Sequence, residues 1–409
     1  MIQAVEFRRS LIWNTIGTTF NSLTSLFLMA LVTRINGIYE AGVFALAFST
    51  ACILYVIGTY SGRVYQVTES SKQITDVDYL LSRFISVSVM ILASVLFVIF
   101  RKYGLNDAKI FIALAVYKAL EAFSDVLYGI LQKNNLLYKV GQSYFIKSTL
   151  TILVFSLTDI YTHNLMLSCV FINIVWIVCI ICMDIPSCLV FIKSNPYAKA
   201  YNILFLYKKG FFVFATMFMG IYITNASKYA IDNYLSNDIQ TIYGIIIMPA
   251  TAISLLGQFV FHPYLNQMAS MNNQRNYDAL FHITLKVAFY ILIFGVLTII
   301  GAFLFGIPVL NTIYSLDLTT YRPHLLIILA AATLYNIGGT FSSMLTTVRI
   351  TFVQFIIYIV LTIVAWSSSN YLTKLFYMDG AVAAYVLVMA GFFLLYTTVS
   401  IIFIKYGVT

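Results

Sequence analysis

The sequence predicts an all-α integral membrane protein of about twelve transmembrane helices, and three observations carry that expectation. The first is composition: 61% of the 409 residues are apolar, 10% are charged, and the mean hydropathy is +0.90. A soluble domain carries about a quarter charged residues, so a soluble chain this apolar would have no polar surface to show to water. The second is arrangement, since the apolar residues fall in runs of about 17–25, the length that crosses a hydrocarbon core about 30 Å thick. The third is the backbone. In lipid each run must satisfy its own hydrogen bonds, which leaves a helix or a closed barrel. The runs are too long, and alternate too little with period two, for barrel strands.

The expected spans lie near 10–33, 38–60, 82–100, 109–131, 144–160, 164–190, 210–231, 241–265, 283–305, 324–347, 350–370 and 379–404. The first is expected to be a span and not a cleaved signal peptide. It is too long, its polar residues are evenly spread, and no small-residue cleavage site ends it. Pro249 and Pro263 should bend the eighth span, because proline removes a backbone donor and clashes with the preceding turn. Pro308 and residues 311–323 hold either a loop or part of a re-entrant segment.

Lys and Arg set the expected orientation. With both termini on one side, sixteen of the 24 basic residues fall on that side, among them Arg83 and Lys147. Arg34, Arg101, Lys102, Lys109, Arg322 and Lys374 fall on the other, and Lys118 and Lys228 lie within spans. The positive-inside rule then places both termini in the cytoplasm. The same bias accounts for the net charge of +9 without nucleic acid, since the basic residues are scattered over short loops.

Little in the sequence points to catalysis or to a metal. Cys179 and Cys182 form a C-x-x-C inside an apolar run with no second pair, so the five cysteines read as small buried hydrophobes. His163, His262, His282 and His324 are isolated in sequence and make no metal-ligand spacing. No Walker loop, triad pattern or long soluble segment occurs, so no catalytic residue, metal ligand or cofactor is expected.

The informative residues are polar ones inside the spans. A charged group at the centre of an inserted helix costs roughly 2.5–3.5 kcal/mol, and such groups usually face a bundle interior or a wet cavity. In the fourth span Lys118, Glu121, Asp125, Tyr128 and Gln132 stand at offsets 0, 3, 7, 10 and 14, which is one helical face. Lys118 and Glu121 are one turn apart and can pair. The stripe either lines a cavity or locks the helix to a neighbour. Ser10, Asn14, Thr18, Asn21 and Ser25 make a second stripe on the first span, as suited to helix packing as to binding. Tyr222, Asn225, Tyr229 and Asp232 make a third on the seventh, with Lys228 at its margin. A fourth, on the tenth span, comprises Thr333, Asn336, Thr340, Ser343 and Thr347 and reads as packing.

Spans one and four, and seven and ten, are each separated by three, and the basic loop from Lys193 to Lys209 divides six spans from six. Matching polar positions in two halves are what a repeat-built transporter shows. The expected organisation is two six-helix lobes, 1–195 and 196–409, exporter-like with a central cavity.

The segment from Trp13-Asn14 through Thr33-Arg34-Ile35-Asn36-Gly37 to Glu40-Ala41-Gly42 resembles the start of polysaccharide repeat-unit flippases of the Wzx type. These belong to the superfamily of multidrug, oligosaccharidyl-lipid and polysaccharide exporters. Arg63-Val64-Tyr65-Gln66-Val67-Thr68, Asp78-Tyr79 and Arg83 extend the likeness, and Glu121 through Lys133 is similar to the family's fourth span. Asn225-Ala226-Ser227-Lys228-Tyr229 with Asp232, and Tyr243-Gly244 with Met248-Pro249, are similar to its seventh and eighth. The likeness covers most of the chain, is densest in the first 150 residues, and rests on the order of the motifs. Asn36 departs from it, since the family commonly has an apolar residue there.

The resemblance implies a bacterial inner-membrane flippase, not an enzyme, that moves undecaprenyl-pyrophosphate-linked oligosaccharide to the outer leaflet for O-antigen or capsule assembly. It also implies a polysaccharide polymerase and a chain-length regulator as partners, alongside membrane lipid. Lys118, Lys228 and Arg34 are then the expected pyrophosphate contacts, because Lys and Arg bind phosphate oxygens well. Asn14, Asn21, Tyr128, Gln132, Asn225 and Tyr229 are the expected sugar or cavity contacts. Glu121, Asp125 and Asp232 are expected to take a coupling proton or sodium ion, or simply to balance the lysines. An unbroken first helix would hold Arg34 away from Asn14 and Asn21. A multidrug antiporter of the same superfamily and a lipid II flippase are the nearest alternatives. A polysaccharide polymerase would show a large outer loop, which the short connections of this chain do not provide.

Overall fold

A computed structural model describes residues 2–60, 63, 66–67, 74–192, 199–261 and 264–406, and among them it contains helices, turns and no strand. Twelve long helices follow in order. The first six are α1 (Ile2–Ile35), α2 (Ile38–Thr59), α3 (Asp76–Arg101), α4 (Leu105–Lys133), α5 (Leu137–Thr162) and α6 (Leu165–Ile192). Then come α7 (Ala200–Tyr234), α8 (Asn237–Phe261), α9 (Tyr277–Tyr314) and α10 (Arg322–Thr347), with a connecting helix Leu265–Asn273 before α9. The last helical stretch, Thr351–Tyr406, breaks at Phe376 and Tyr377, giving α11 (351–375) and α12 (378–406). Among the described residues nine segments are long and apolar enough to cross a membrane, the last of them spanning both α11 and α12. Neither α4 nor α8 is among the nine.

Local chemistry starts and stops these helices as the sequence dictates. The Thr75 hydroxyl accepts from Asp78 N, and the Asp78 carboxylate accepts from Thr75 N, a reciprocal cap for α3. Asn164 and Asn276 cap α6 and α9 by accepting from the amides of Leu167 and Ala279. Between α1 and α2 the chain reverses at Gly37, whose φ of 93° a side chain rarely tolerates. Asn36, the residue that departs from the flippase pattern, donates from this turn to Asp159 Oδ1 at 3.2 Å, tying it to the far end of α5.

Lipid as solvent shows in α3. Its buried residues are Asp78, Tyr79, Arg83, Ser86, Met90 and Ser94, whereas Phe84, Leu92, Ile99 and Phe100 are exposed. A soluble helix distributes these types the other way round.

Two segments depart from α-helical geometry in the same sequence context. Ile180–Asp184 in α6 and Ala302–Gly306 in α9 are single π-turns, and each ends directly before an Ile-Pro pair, Ile185-Pro186 and Ile307-Pro308. Proline cannot donate to the carbonyl four residues back and its ring collides with that turn, so the helix widens upstream instead of breaking. Pro308 therefore lies in helix, with α9 continuing to Tyr314, and of the expected stretch 311–323 the loop is confined to residues 315–318, ahead of the short turn Thr319–Tyr321. The link that follows is closed by Leu318 N donating to Asn311 Oδ1 at 2.9 Å. Pro249 lies inside α8, and Pro263 and His262 lie outside the described residues.

By its contacts the chain forms two compact units, Met1–Phe218 and Met219–Thr409, dividing within α7. The first part of α7 belongs to the first unit because α3 holds it. Asn202 donates to Asp78 Oδ2 at 2.8 Å, and the Tyr207 hydroxyl donates to the Ser82 carbonyl at 2.7 Å. Inside the first unit α2, α3 and α4 pack pairwise, and inside the second α8, α9 and α10 do the same. The same pairwise pattern among three helices thus recurs six spans later.

In the first unit α1 and α5 cross at Gly17 and Gly141. A Cβ on Gly17 would lie 2.1 Å from the Gly141 carbonyl oxygen, and one on Gly141 would lie 2.1 Å from that of Trp13. Only glycine permits this approach, the small-residue packing that membrane helices use in place of a hydrophobic drive.

Candidate functional site: a charge-paired interior in the first unit

The polar stripe of α4 turns inward and meets partners from four other helices. Lys118 Nζ donates to Glu121 Oε2 at 2.6 Å, and the ammonium lies 4.8 Å from the Phe48 ring centroid and 5.5 Å from that of Tyr117. The other Glu121 oxygen accepts from Asn21 of α1 at 3.1 Å, while Asn21 Oδ1 accepts from Ser148 of α5. Lys118, Glu121 and Asn21 are thus one hydrogen-bonded group. The pair has the i, i+3 spacing that the sequence implies.

One turn on, Asp125 is held by Arg83 of α3 at 3.2 Å, and the same guanidinium donates to the Gly58 carbonyl of α2. Below it Ser124 and Tyr128 serve a third cation. Lys147 of α5 donates to Ser124 Oγ (2.8 Å), to the Tyr128 hydroxyl (3.0 Å) and to Asp184 Oδ2 of α6 (2.5 Å). Ser143 donates to the remaining Asp184 oxygen at 2.7 Å, and the Trp176 ring centroid lies 4.5 Å from the ammonium. Lys147 and Asp184 are 0% and 2% exposed, so both charges are fully withdrawn from solvent. At the end of the stripe Gln132 Oε1 accepts from Arg63 Nε at 2.6 Å.

Arg83 and Lys147, expected at the cytoplasmic ends of their spans, are interior groups within α3 and α5, and Asp184, absent from the sequence-derived site, completes a third pair. The π-turn of α6 ends on Asp184. Removing Arg83 and Lys147 from the count leaves the bias of basic residues toward the same side. Two cysteine expectations also change: Cys182 is exposed and Cys52 only half-buried, while the other three are buried. His324 Nε2 lies 2.6 Å from Asp379 Oδ1.

The expected site residues do not all converge. Lys118, Glu121 and Asn21 touch. Asp125, Tyr128 and Gln132 share their helix face but are committed to Arg83, Lys147 and Arg63. Tyr128 is sealed at 0% exposure. Asn14 Oδ1 is buried with no hydrogen-bond partner among the described residues. Arg34 is exposed at the end of α1, which runs unbroken, so at 1.5 Å per residue it stands about 20 Å along the axis from Asn21. Asn225, Lys228, Tyr229 and Asp232 belong to the second unit on α7, where Tyr229 stacks on Tyr222 with centroids 6.1 Å apart. Asn225 donates to the Ile221 carbonyl of its own helix.

Charged groups placed inside apolar helices in this way face a bundle interior or a wet cavity rather than lipid. No protein-family model and no curated protein matches the sequence. Solved structures do match. One is an inward-facing multidrug resistance MATE family transporter of the MOP superfamily, with TM-score 0.71 and 12% identity, covering 97% of this chain and 99% of that one. Another is the lipid II flippase MurJ in an inward closed conformation, with TM-score 0.72 and 16% identity over 95% and 87%. A MOP superfamily transporter from Pyrococcus furiosus, with reverse polarity of its binding pocket, matches at TM-score 0.61 and 15% identity over 98% and 95%. The chain therefore has the MATE/MurJ-like transporter fold, and at these identities the likeness is one of fold.

Proposed function

We propose that this chain is a flippase carrying undecaprenyl-pyrophosphate-linked oligosaccharide from the cytoplasmic to the outer leaflet of the bacterial inner membrane, with both termini cytoplasmic. The observation that supports an anionic lipid-linked substrate over a cationic drug is the pairing of the charges gathered around the α4 stripe. Glu121, Asp125 and Asp184 each already hold a cation, so none is a bare acid waiting for a positively charged drug. Lys118 and Glu121, by contrast, suit a substrate that brings its own negative charge. A pyrophosphate oxygen accepting from Lys118 releases Glu121, whose freed carboxylate is then open to the coupling ion. Substrate and coupling ion then act on one pair and bias one equilibrium between inward and outward states of the lobes 1–195 and 196–409. In this reading Lys228 and Arg34 are further pyrophosphate contacts, each within its own unit, and Asn14, Asn225 and Tyr229 are sugar contacts.

Complementation tests this. A strain lacking its repeat-unit flippase regains surface polysaccharide on expressing this chain, and Lys118→Ala does so poorly at equal protein level. A drug-hypersensitive strain expressing the chain stays sensitive to cationic dyes. Dye efflux without polysaccharide export would establish the multidrug reading that the MATE likeness also accommodates.

A further inference from the structure

We propose that a groove of the first unit between α1, α5 and α6 holds one anionic membrane phospholipid, its phosphate at Arg9 and Lys139 and one hydrocarbon chain running inward beside Ile146. The inference is independent of what the protein transports.

The groove encloses about 710 Å³, within the size range of sites that take a drug-sized ligand. Its lining on α5 is Lys139, Gln142, Ser143, Phe145 and Ile146, so charge lies at one end and apolar side chains at the other. Lys139 to Ile146 spans about 10 Å of helix axis. The flanking helices are graded in the same sense. α1 runs parallel to α5, since Arg9 meets Tyr138, Gly17 meets Gly141 and Asn21 meets Ser148, so Trp13 follows Arg9 inward. α6 runs antiparallel, with Ser143 meeting Asp184 and Thr151 meeting Trp176, so Ser187 sits at the charged end while Cys182 and Met183 lie deeper. Such a gradient from cations through hydroxyls to hydrocarbon matches a lipid head, glycerol region and chain.

The outer end is positive. Lys139 lines the groove there, and Arg9 stands one helical turn before the lining residue Trp13, its guanidinium over the Tyr138 ring at 4.2 Å from the centroid. Neither Arg9 nor Lys139 has an ion-pair partner among the described residues. α5 also begins here with no side-chain cap and no acidic residue in its first turn, so its free amides add to the anion-attracting field. Asp184, the only carboxylate among the described lining residues, is already neutralised by Lys147. A phosphate suits this end, and a zwitterionic head gains less from it. Beside the groove Ile146, Ile181 and Val190 are exposed and apolar, so its mouth opens onto surface that lipid covers.

The test is native mass spectrometry of the purified full-length protein in neutral detergent, titrated with phosphatidylglycerol or phosphatidylcholine. One phosphatidylglycerol is expected to stay bound where phosphatidylcholine does not. In Arg9→Gln/Lys139→Gln its affinity falls about thirtyfold, the loss of two cations at an anionic headgroup. Ile146→Trp, which fills the chain path and leaves the cations in place, also weakens binding, and circular dichroism of each variant separates folding from binding. Equal retention of the two lipids by the unaltered protein would overturn the proposal without recourse to any variant. So would undiminished phosphatidylglycerol binding in the double variant, or displacement of the lipid by inorganic phosphate alone, which would mark a soluble-anion site.

Discussion

Replacing Asp184 by Asn removes one partner of the most deeply buried ion pair described in the first unit and leaves the Lys147 ammonium without its carboxylate. Breaking a buried pair from one side costs about 3–5 kcal/mol, because the surviving charge stays desolvated. No discount for solvent screening applies, since the partners are 0% and 2% exposed. The residual contacts decide where in the range each variant falls. Lys147 keeps the hydroxyls of Ser124 and Tyr128 and the face of Trp176, which places Asp184→Asn near the lower end, about 3 kcal/mol. Lys147→Met is worse, about 5 kcal/mol, because Asp184 then keeps Ser143 alone. For a unit of this size, where 1 kcal/mol moves Tm by about 2–4 °C, the losses are about 6–12 °C and about 10–20 °C in detergent. The double variant Lys147→Met/Asp184→Leu removes both charges, so it regains most of the loss and shows a large favourable coupling in the cycle. Single variants that melt within 2 °C of the unaltered protein would refute the reasoning, as would a double variant no more stable than the worse single one.

Other outcomes follow from the same interior. Arg83→Gln strips Asp125 of its cation and the Gly58 carbonyl of a donor, so it costs about 3 kcal/mol in the same melting assay. Asp125→Asn impairs export in complementation beyond any fall in protein level only if the carboxylate takes part in transport. Gly141→Val forces a side chain into the Trp13 backbone, which cannot yield, and costs about 3 kcal/mol or more, seen as loss of the monodisperse peak in size exclusion. Gly104→Ala, with open space around it, leaves that peak unchanged.

The helices were legible because lipid imposes a length on each run and forbids unpaired backbone, and both constraints are written locally. The inward face of α4 was legible too, since Lys118, Glu121, Asp125 and Tyr128 repeat at helical spacing on one segment. The partners of that face were not. Asp184 meets Lys147 across two helices 37 residues apart, and no periodicity within either helix announces the pairing. Lys147 misled for a specific reason: a cation near the edge of an apolar run is read as an interfacial span end until a buried acid is known to receive it. The π-turn did leave a sign, the proline two residues after Asp184, which disrupts helical hydrogen bonding where the acid is delivered. The break at Phe376 and Tyr377 left a weaker one, the gap expected between the last two spans.

The three interior pairs described in the first unit have a consequence for how the protein feels voltage. A single elementary charge carried across the membrane potential is worth about 2.3 kcal/mol per 100 mV. Arg83–Asp125, Lys118–Glu121 and Lys147–Asp184 each hold opposite charges within 3.2 Å, so they form compact dipoles and contribute almost no net charge. Displacing the first unit as a body therefore moves little charge through the field from these six residues. Under the proposed function, a transport current would report chiefly the ionic cargo and the coupling ion, and the pairs would add a gating transient only when one of them opens.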